Sequence, residues 1–204
     1  MQEIKENKTS SNRRFLIYVM ALFAIPLVGA ILLYASGWKP GKGANHGELI
    51  QPVRQIEDRE MRTLDGKVAH FQELNGKWTM LVFGPSSCAK ECLNNLYVIR
   101  QVQAGQGKDS DRLQRVLILT DVSELADLKK KLVDYPDMNV WTGDEKVLAD
   151  LAKNFGLQHE GLSSNHVIYL IDPKGNLMMR YVAGADPYGI IKDLTHLLKY
   201  SWVG

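Results

Sequence analysis

The chain has 204 residues, 45% hydrophobic and 24% charged, with a formal net charge of +2 and only two cysteines. So small a net charge offers no basic face for a phosphate backbone, so nothing points to nucleic acid as a partner. There is no internal repeat and no low-complexity tract.

The first fourteen residues are polar, with Lys5, Lys8, Arg13 and Arg14 set against Glu3 and Glu6. "FLIYVMALFAIPLVGAILLY", Phe15 to Tyr34, follows without one charge. At about 1.5 Å rise per residue such a run crosses a hydrocarbon core of roughly 30 Å. Pro26 within it is tolerated in lipid, where neighbouring groups satisfy the freed carbonyl, and Trp38 just beyond fits the aromatic interface belt. A cleaved signal peptide is the competing reading. Its apolar region is usually only about 7–15 residues long and ends in a small-x-small site. This run is longer, and neither "YASG" nor "VGAI" makes a convincing site, so a retained transmembrane helix is expected over residues 15–36. Four basic residues precede the span and only Lys39 and Lys42 follow it closely. The positive-inside bias then places residues 1–14 in the cytoplasm and the bulk of the chain outside, in the periplasm of a bacterial-type inner membrane.

Residues 37–52, "GWKPGKGANHGELIQP", are rich in Gly, Pro and polar residues and read as a flexible tether in which His46 is solvated. Residues 53–204 remain, enough for one domain with a sizeable core.

"MRTLDGKVAHFQEL" reads as a hairpin around Asp65-Gly66. "WTMLVFG", residues 78–84, reads as a buried strand, followed by a helix capped by Ser86 or Ser87 that carries Cys88 and Cys92 on its first turn. "RVLILTD" is a second buried strand, and "SELADLKKKLVDY" an amphipathic helix with Ser123 as its cap. "TGDEKVLADLAKNFG" is a helix with a Thr or Asp cap and Gly156 as its stop. "HVIYLIDPKGNLMMRYVAG" is a hairpin, and "DPYGIIKDLTHLLKYS" a closing helix. This order predicts an α/β thioredoxin-like sandwich, a mixed central sheet flanked by helices, with a βαβ unit carrying the cysteines, preceded by one N-terminal transmembrane helix.

A disulfide between residues four apart closes a very short loop and adds little stability, so the pair reads as chemistry rather than scaffold. On one helix face two such sulfurs can meet at a common atom. The helix N-terminus and Lys90 favour thiolate at Cys88, while Glu91 opposes it. Thioredoxin-type redox pairs are normally C-x-x-C, and the extra residue here leaves room for a soft ion such as Cu(I) or Zn, which needs a further ligand. His70 and His196 read as partly exposed structural residues. His166, entering the strand "VIYLID", is the leading candidate ligand, and His159 in "GLQHEGLSSN" is the runner-up. Met178 and Met179 are consecutive on a strand and face opposite ways, so they read as packing.

"LDGKVAHFQELNGKWTMLVFGPSSCAKEC", "WTGDEKVLADLAKNFGL" and "SNHVIYLIDPKGNLMMRY" together resemble the Sco/SenC copper-chaperone family over roughly residues 60 to 200. The resemblance implies a membrane-anchored thioredoxin-like protein that binds copper through Cys88, Cys92 and His166. It also implies a role in assembling the copper centre of cytochrome c oxidase, with that oxidase's copper-binding subunit or another copper chaperone as partner. The chain departs from the family pattern at Ala89, Lys90 and Leu93, and keeps only Asp121 of the stretch after the next strand. Lys90, where the family has an acidic residue, repels a cation and favours thiolates. A copper metallochaperone is therefore the expected function, with a membrane-tethered thiol–disulfide reductase, redox-active at Cys88 and Cys92, as the alternative and a non-catalytic assembly factor as the third reading.

Overall fold

The computed structural model describes residues 7–37 and 45–201 and divides into two units, Met1–Ala44 and Asn45–Gly204. Lys5, Trp38, Lys39 and Lys42 lie outside the described residues. The first unit contains α1 (Asn7–Ala35), in which the stretch Arg13–Ala35 is long and apolar enough to cross a membrane. Its aliphatic and aromatic side chains, Phe15 and Leu22 among them, are exposed on the helix, the distribution lipid requires and water disfavours.

The second unit is built on one sheet. Its strands are β1 (Glu48–Gln55), β2 (Glu60–Thr63), β3 (Val68–His70), β4 (Trp78–Gly84), β5 (Leu113–Leu119), β6 (Met138–Thr142), β7 (Ile168–Ile171) and β8 (Asn176–Tyr181). They run in the order β1-β8-β7-β4-β5-β6-β2-β3. β4, β5 and β6 are parallel neighbours, while β7 joins the other side of β4 antiparallel and continues into β8. The helices are α2 (Lys90–Gly105), α3 (Leu125–Leu132), α4 (Glu145–Phe155) and α5 (Pro187–Tyr200).

Strand alternation divides the core in two. From β4, Trp78, Met80 and Val82 pack with Leu96 and Ile99 of α2, Leu128 of α3 and Ile190, Leu194 and Leu198 of α5. Leu81 and Phe83 face the other way, onto Leu148, Leu151 and Phe155 of α4. Every residue of β4 is buried, as a central strand covered on both faces must be. The expected mixed sheet flanked by helices, a thioredoxin-like fold, is what the chain adopts.

Two strands lie where none was expected. β1 takes up residues 48–52 of the expected tether; it is largely exposed and contains Pro52, so no alternation marks it, and it exists because the edge of β8 offers a ladder. β6 occupies the gap between α3 and α4, a five-residue strand completed by a parallel ladder to β5 and an antiparallel one to β2. His46, expected to be solvated, is exposed but also tied down. Its backbone N–H donates to both carboxylate oxygens of the buried Asp193, at 3.1 and 2.9 Å, and its Nδ1 lies 3.1 Å from Oδ1. Gly47 N–H and the Tyr181 hydroxyl also donate to Asp193 Oδ2, at 2.9 and 3.2 Å. Burial, and then Asp193, push the Tyr181 phenol above its ordinary value.

The caps were legible in part. Asp144 caps α4 by accepting from Val147 N–H at 2.8 Å, and Gly156 ends that helix at φ +72°, where a Cβ is disfavoured. By contrast, α2 starts at Lys90 with Ala89 before it and no side-chain cap, and α3 follows Glu124, also uncapped. Ser86 and Ser123, expected as caps, serve a different bond network, described next.

Candidate functional site

The parallel pair β4–β5 ends beside the start of α2, and both cysteines sit there. Cys92 belongs to the first turn of α2, but Cys88 does not: it lies in the turn before the helix, with φ +33°, a left-handed backbone uncommon outside glycine. The expectation of two sulfurs on one helical face is thereby corrected. The bent turn brings Cys88 back over Cys92 at a Cα–Cα distance of 5.0 Å, within the range a disulfide needs, and the two are bonded. Both are packed into the α2 side of the core, 0% and 4% exposed. Gly84, the last residue of β4, makes room for them, because a Cβ there would stand 2.9 Å from Cys92 Sγ. That close approach explains the Phe-Gly ending of the strand.

The turn is held from the β5–α3 side. Ser86 N–H donates to Asp121 Oδ2 at 3.2 Å and its hydroxyl to Oδ1. The same hydroxyl oxygen accepts from Glu124 N–H at 2.9 Å, while Ser123 donates to Asp121 Oδ1 through its N–H at 3.1 Å and its hydroxyl at 2.8 Å. Burial would raise the Asp121 carboxyl, but the bonds from Ser86 and Ser123 outweigh it and hold the carboxyl below its ordinary value. One step further along, Lys131 Nζ donates to the carbonyl of Ser87 and lies 3.4 Å from that of Cys88.

A carboxyl depressed in the folded state stabilises the protein above the unfolded-state pKa of about 4, and that contribution fades as pH falls through the lower folded value. Asp121→Ala is therefore expected to lose roughly 1–2 kcal/mol at pH 7. Urea midpoints should show the gap between variant and wild type narrowing below about pH 4. A gap of equal size at pH 3 and pH 7 counts against the charged Asp121 as the tie.

A groove of about 530 Å³ runs along the first turns of α2. Lys90, Leu93 and Tyr97 of that helix line it together with Tyr135, His166 and Gly184. His166 stands two residues before β7 rather than opening it, partly buried, after Asn165, whose amide donates to Tyr169 Oη at 3.0 Å and whose Oδ1 accepts from Val167 N–H at 3.0 Å. The loop to β7 thus carries His166 to the groove along the helix whose first turn holds Cys92. Among the described residues, however, no three His, Cys, Asp or Glu side chains are gathered closely enough to hold a metal ion. His159 lies in a short 3-10 turn, His159–Gly161, and its side chain lies outside the described ones. His70 Nδ1 is 3.2 Å from Asp58, and the His196 ring packs edge-on to Tyr200, the structural roles expected of both. Sequence reasoning took Ser86 and Ser123 for helix caps and missed their tie to Asp121, and it missed Lys131. Asp121 carried a signal through the family resemblance; Lys131 is one of three consecutive lysines and carried none.

Comparison with known proteins gives the same architecture. Residues 78–201 match the family described as transmembrane-like, thioredoxin-like, C-terminal domain. No curated protein sequence matches. Among solved structures, copper-bound ScoI of Bradyrhizobium japonicum is 22% identical, with a TM-score of 0.56 over 70% of this chain and 98% of that one. Copper-bound yeast Sco1 is 20% identical, with a TM-score of 0.61 over 72% and 94%. The thioredoxin domain of a thiol-disulfide oxidoreductase from Bacteroides vulgatus is 16% identical, with a TM-score of 0.53 over 70% and 94%. At these identities the likeness is one of fold.

Proposed function

Because the chain belongs to the family of transmembrane-like, thioredoxin-like C-terminal domains, we propose that it is a membrane-tethered thiol–disulfide reductase working through Cys88 and Cys92. The observation that carries this reading is the pairing of the chain's two cysteines across a left-handed turn at the start of α2. In the reduced state the Cys88 thiolate attacks one sulfur of a client disulfide. The client S–S bond breaks, and its other sulfur leaves as a thiolate that takes up a proton. The Cys92 thiolate then attacks the Cys88 sulfur, which closes the Cys88–Cys92 bond and releases the second client sulfur. Two electrons pass to the client, and a dithiol donor must restore the pair. Lys90, in the first turn of α2, and the helix N-terminus favour a thiolate there, against the opposing charge of Glu91 in the same turn.

The resemblance to Sco/SenC proteins supplies the client class: cysteines of the copper-binding subunit of cytochrome c oxidase, or of another copper chaperone. α1 is the anchor, with residues 1–14 in the cytoplasm and the domain in the periplasm, a reading supported by the basic residues that precede the span.

A second reading, copper as cargo on Cys88, Cys92 and His166, is favoured by the position of His166 on the groove beside the cysteine helix. The donor set is chemically suited to Cu(I), two soft sulfurs and an imidazole, but it requires a reduced pair and a closer His166. The deciding experiment offers the reduced full-length protein an oxidised copper-binding oxidase subunit domain. Recovery of the client's free thiols together with formation of Cys88–Cys92 is the expected result. A client that stays oxidised, while the reduced protein takes up Cu(I), moves the assignment to the copper carrier.

A further inference from the structure

Exchange requires a sulfur within reach of its attacker. Cys88 and Cys92 are almost completely covered, so the turn over them has to move. Besides the disulfide itself, the side-chain hydrogen bonds that hold it among the described residues come from one stretch of chain, Asp121 to Lys131: the Ser86–Asp121–Ser123 bonds at one end and the Lys131 ammonium at the other. Lys131 is the distinctive element. Among the three lysines near the end of α3, Lys130 pairs with Asp127 in solvent at 2.8 Å and Lys129 is exposed. Lys131 turns inward and reaches two carbonyls that the helix ladder leaves out, since the first carbonyl to accept within α2 is that of Ala89, from Leu93 N–H at 2.9 Å.

We infer that Lys131 is a positioning residue for thiol exchange: its ammonium clamps the Ser87 and Cys88 carbonyls, holds the left-handed turn shut over the disulfide and so sets how often the sulfurs are exposed. The physical basis is a charge-assisted bond, stronger than its neutral counterpart, that restrains a residue whose φ of +33° is otherwise disfavoured. The local opening it governs exposes one turn and leaves the sheet and α2 intact. The inference rests on the thiol–disulfide reading for its biological purpose, but the clamp itself is measurable without a client.

The test is reduction of the oxidised full-length protein in detergent by excess dithiothreitol, which closes to its cyclic disulfide as two electrons pass to Cys88–Cys92. Lys131→Met is expected to be reduced about tenfold faster than wild type. Lys131→Arg, which keeps a cationic donor, is expected within about twofold of wild type, as is Lys130→Met. The acceleration in Lys131→Met should persist at low urea with almost no urea dependence, because the opening exposes little surface. A wild-type rate in Lys131→Met, equal acceleration in Lys131→Arg or Lys130→Met, or a urea slope matching global unfolding would each overturn the clamp. If instead the clamp behaves as described while the resulting dithiol reduces no protein disulfide, the clamp stands and the reductase assignment falls.

Discussion

A Cys92→Ser variant of the reduced full-length protein is expected to stop at a mixed disulfide between Cys88 and its client, visible as a covalent adduct on a non-reducing gel. Cys88→Ser is expected to form none, and in both variants multiple-turnover reduction should fall to the uncatalysed background. The two cysteines are distinguished by what must move. Cys88 lies in the turn, outside the α2 hydrogen-bond ladder, so it can swing out without unwinding the helix. Cys92 is fixed by the first turn of α2 and by the close fit of its sulfur over Gly84. The residue that can swing attacks, and the fixed one resolves. An adduct in Cys88→Ser alone would reverse the two roles; adducts in neither variant would remove the reductase assignment.

His166→Ala is expected to leave the rate of client reduction within about twofold, because no exchange step uses the imidazole. Cu(I) affinity of the same reduced protein should fall by at least about 100-fold, since even outer-shell partners of metal ligands are worth 10–100-fold and His166 would be a ligand itself. Parallel measurements on one preparation separate the two functions cleanly. Loss of exchange with unchanged copper affinity would mean that the groove His166 lines together with Lys90 and Tyr135 receives the client. Copper affinity unchanged by the substitution would leave Cys88 and Cys92 with a third ligand other than His166.

The strongly patterned elements could be read without coordinates. β4 is a continuous apolar run because both its faces are covered, and α5 keeps Ile190, Leu194 and Leu198 at helical spacing because only one of its faces is buried. The hairpin of β7 and β8 was marked by its turn residues, Asp172 to Asn176. Where the pattern was silent, the fold came from a neighbour: β1 is polar and mostly exposed, and only the open edge of β8 makes it a strand.

At the site the same division holds. Spacing alone singled out Cys88 and Cys92 as chemistry, because a short-range cysteine pair has a distinctive meaning in any fold, while His166 became a candidate companion through its place before a late strand of the expected sandwich and through the family resemblance. The turn that takes Cys88 off the helix, the Asp121 tie and the inward Lys131 were decided by contacts between segments distant in the chain. Local sequence sets what a residue can do chemically and which way a repeating face points. Which serine binds an aspartate 35 positions away, and which of three adjacent lysines meets a carbonyl, depends on how β5 and α3 are laid against the start of α2, and only tertiary packing specifies that.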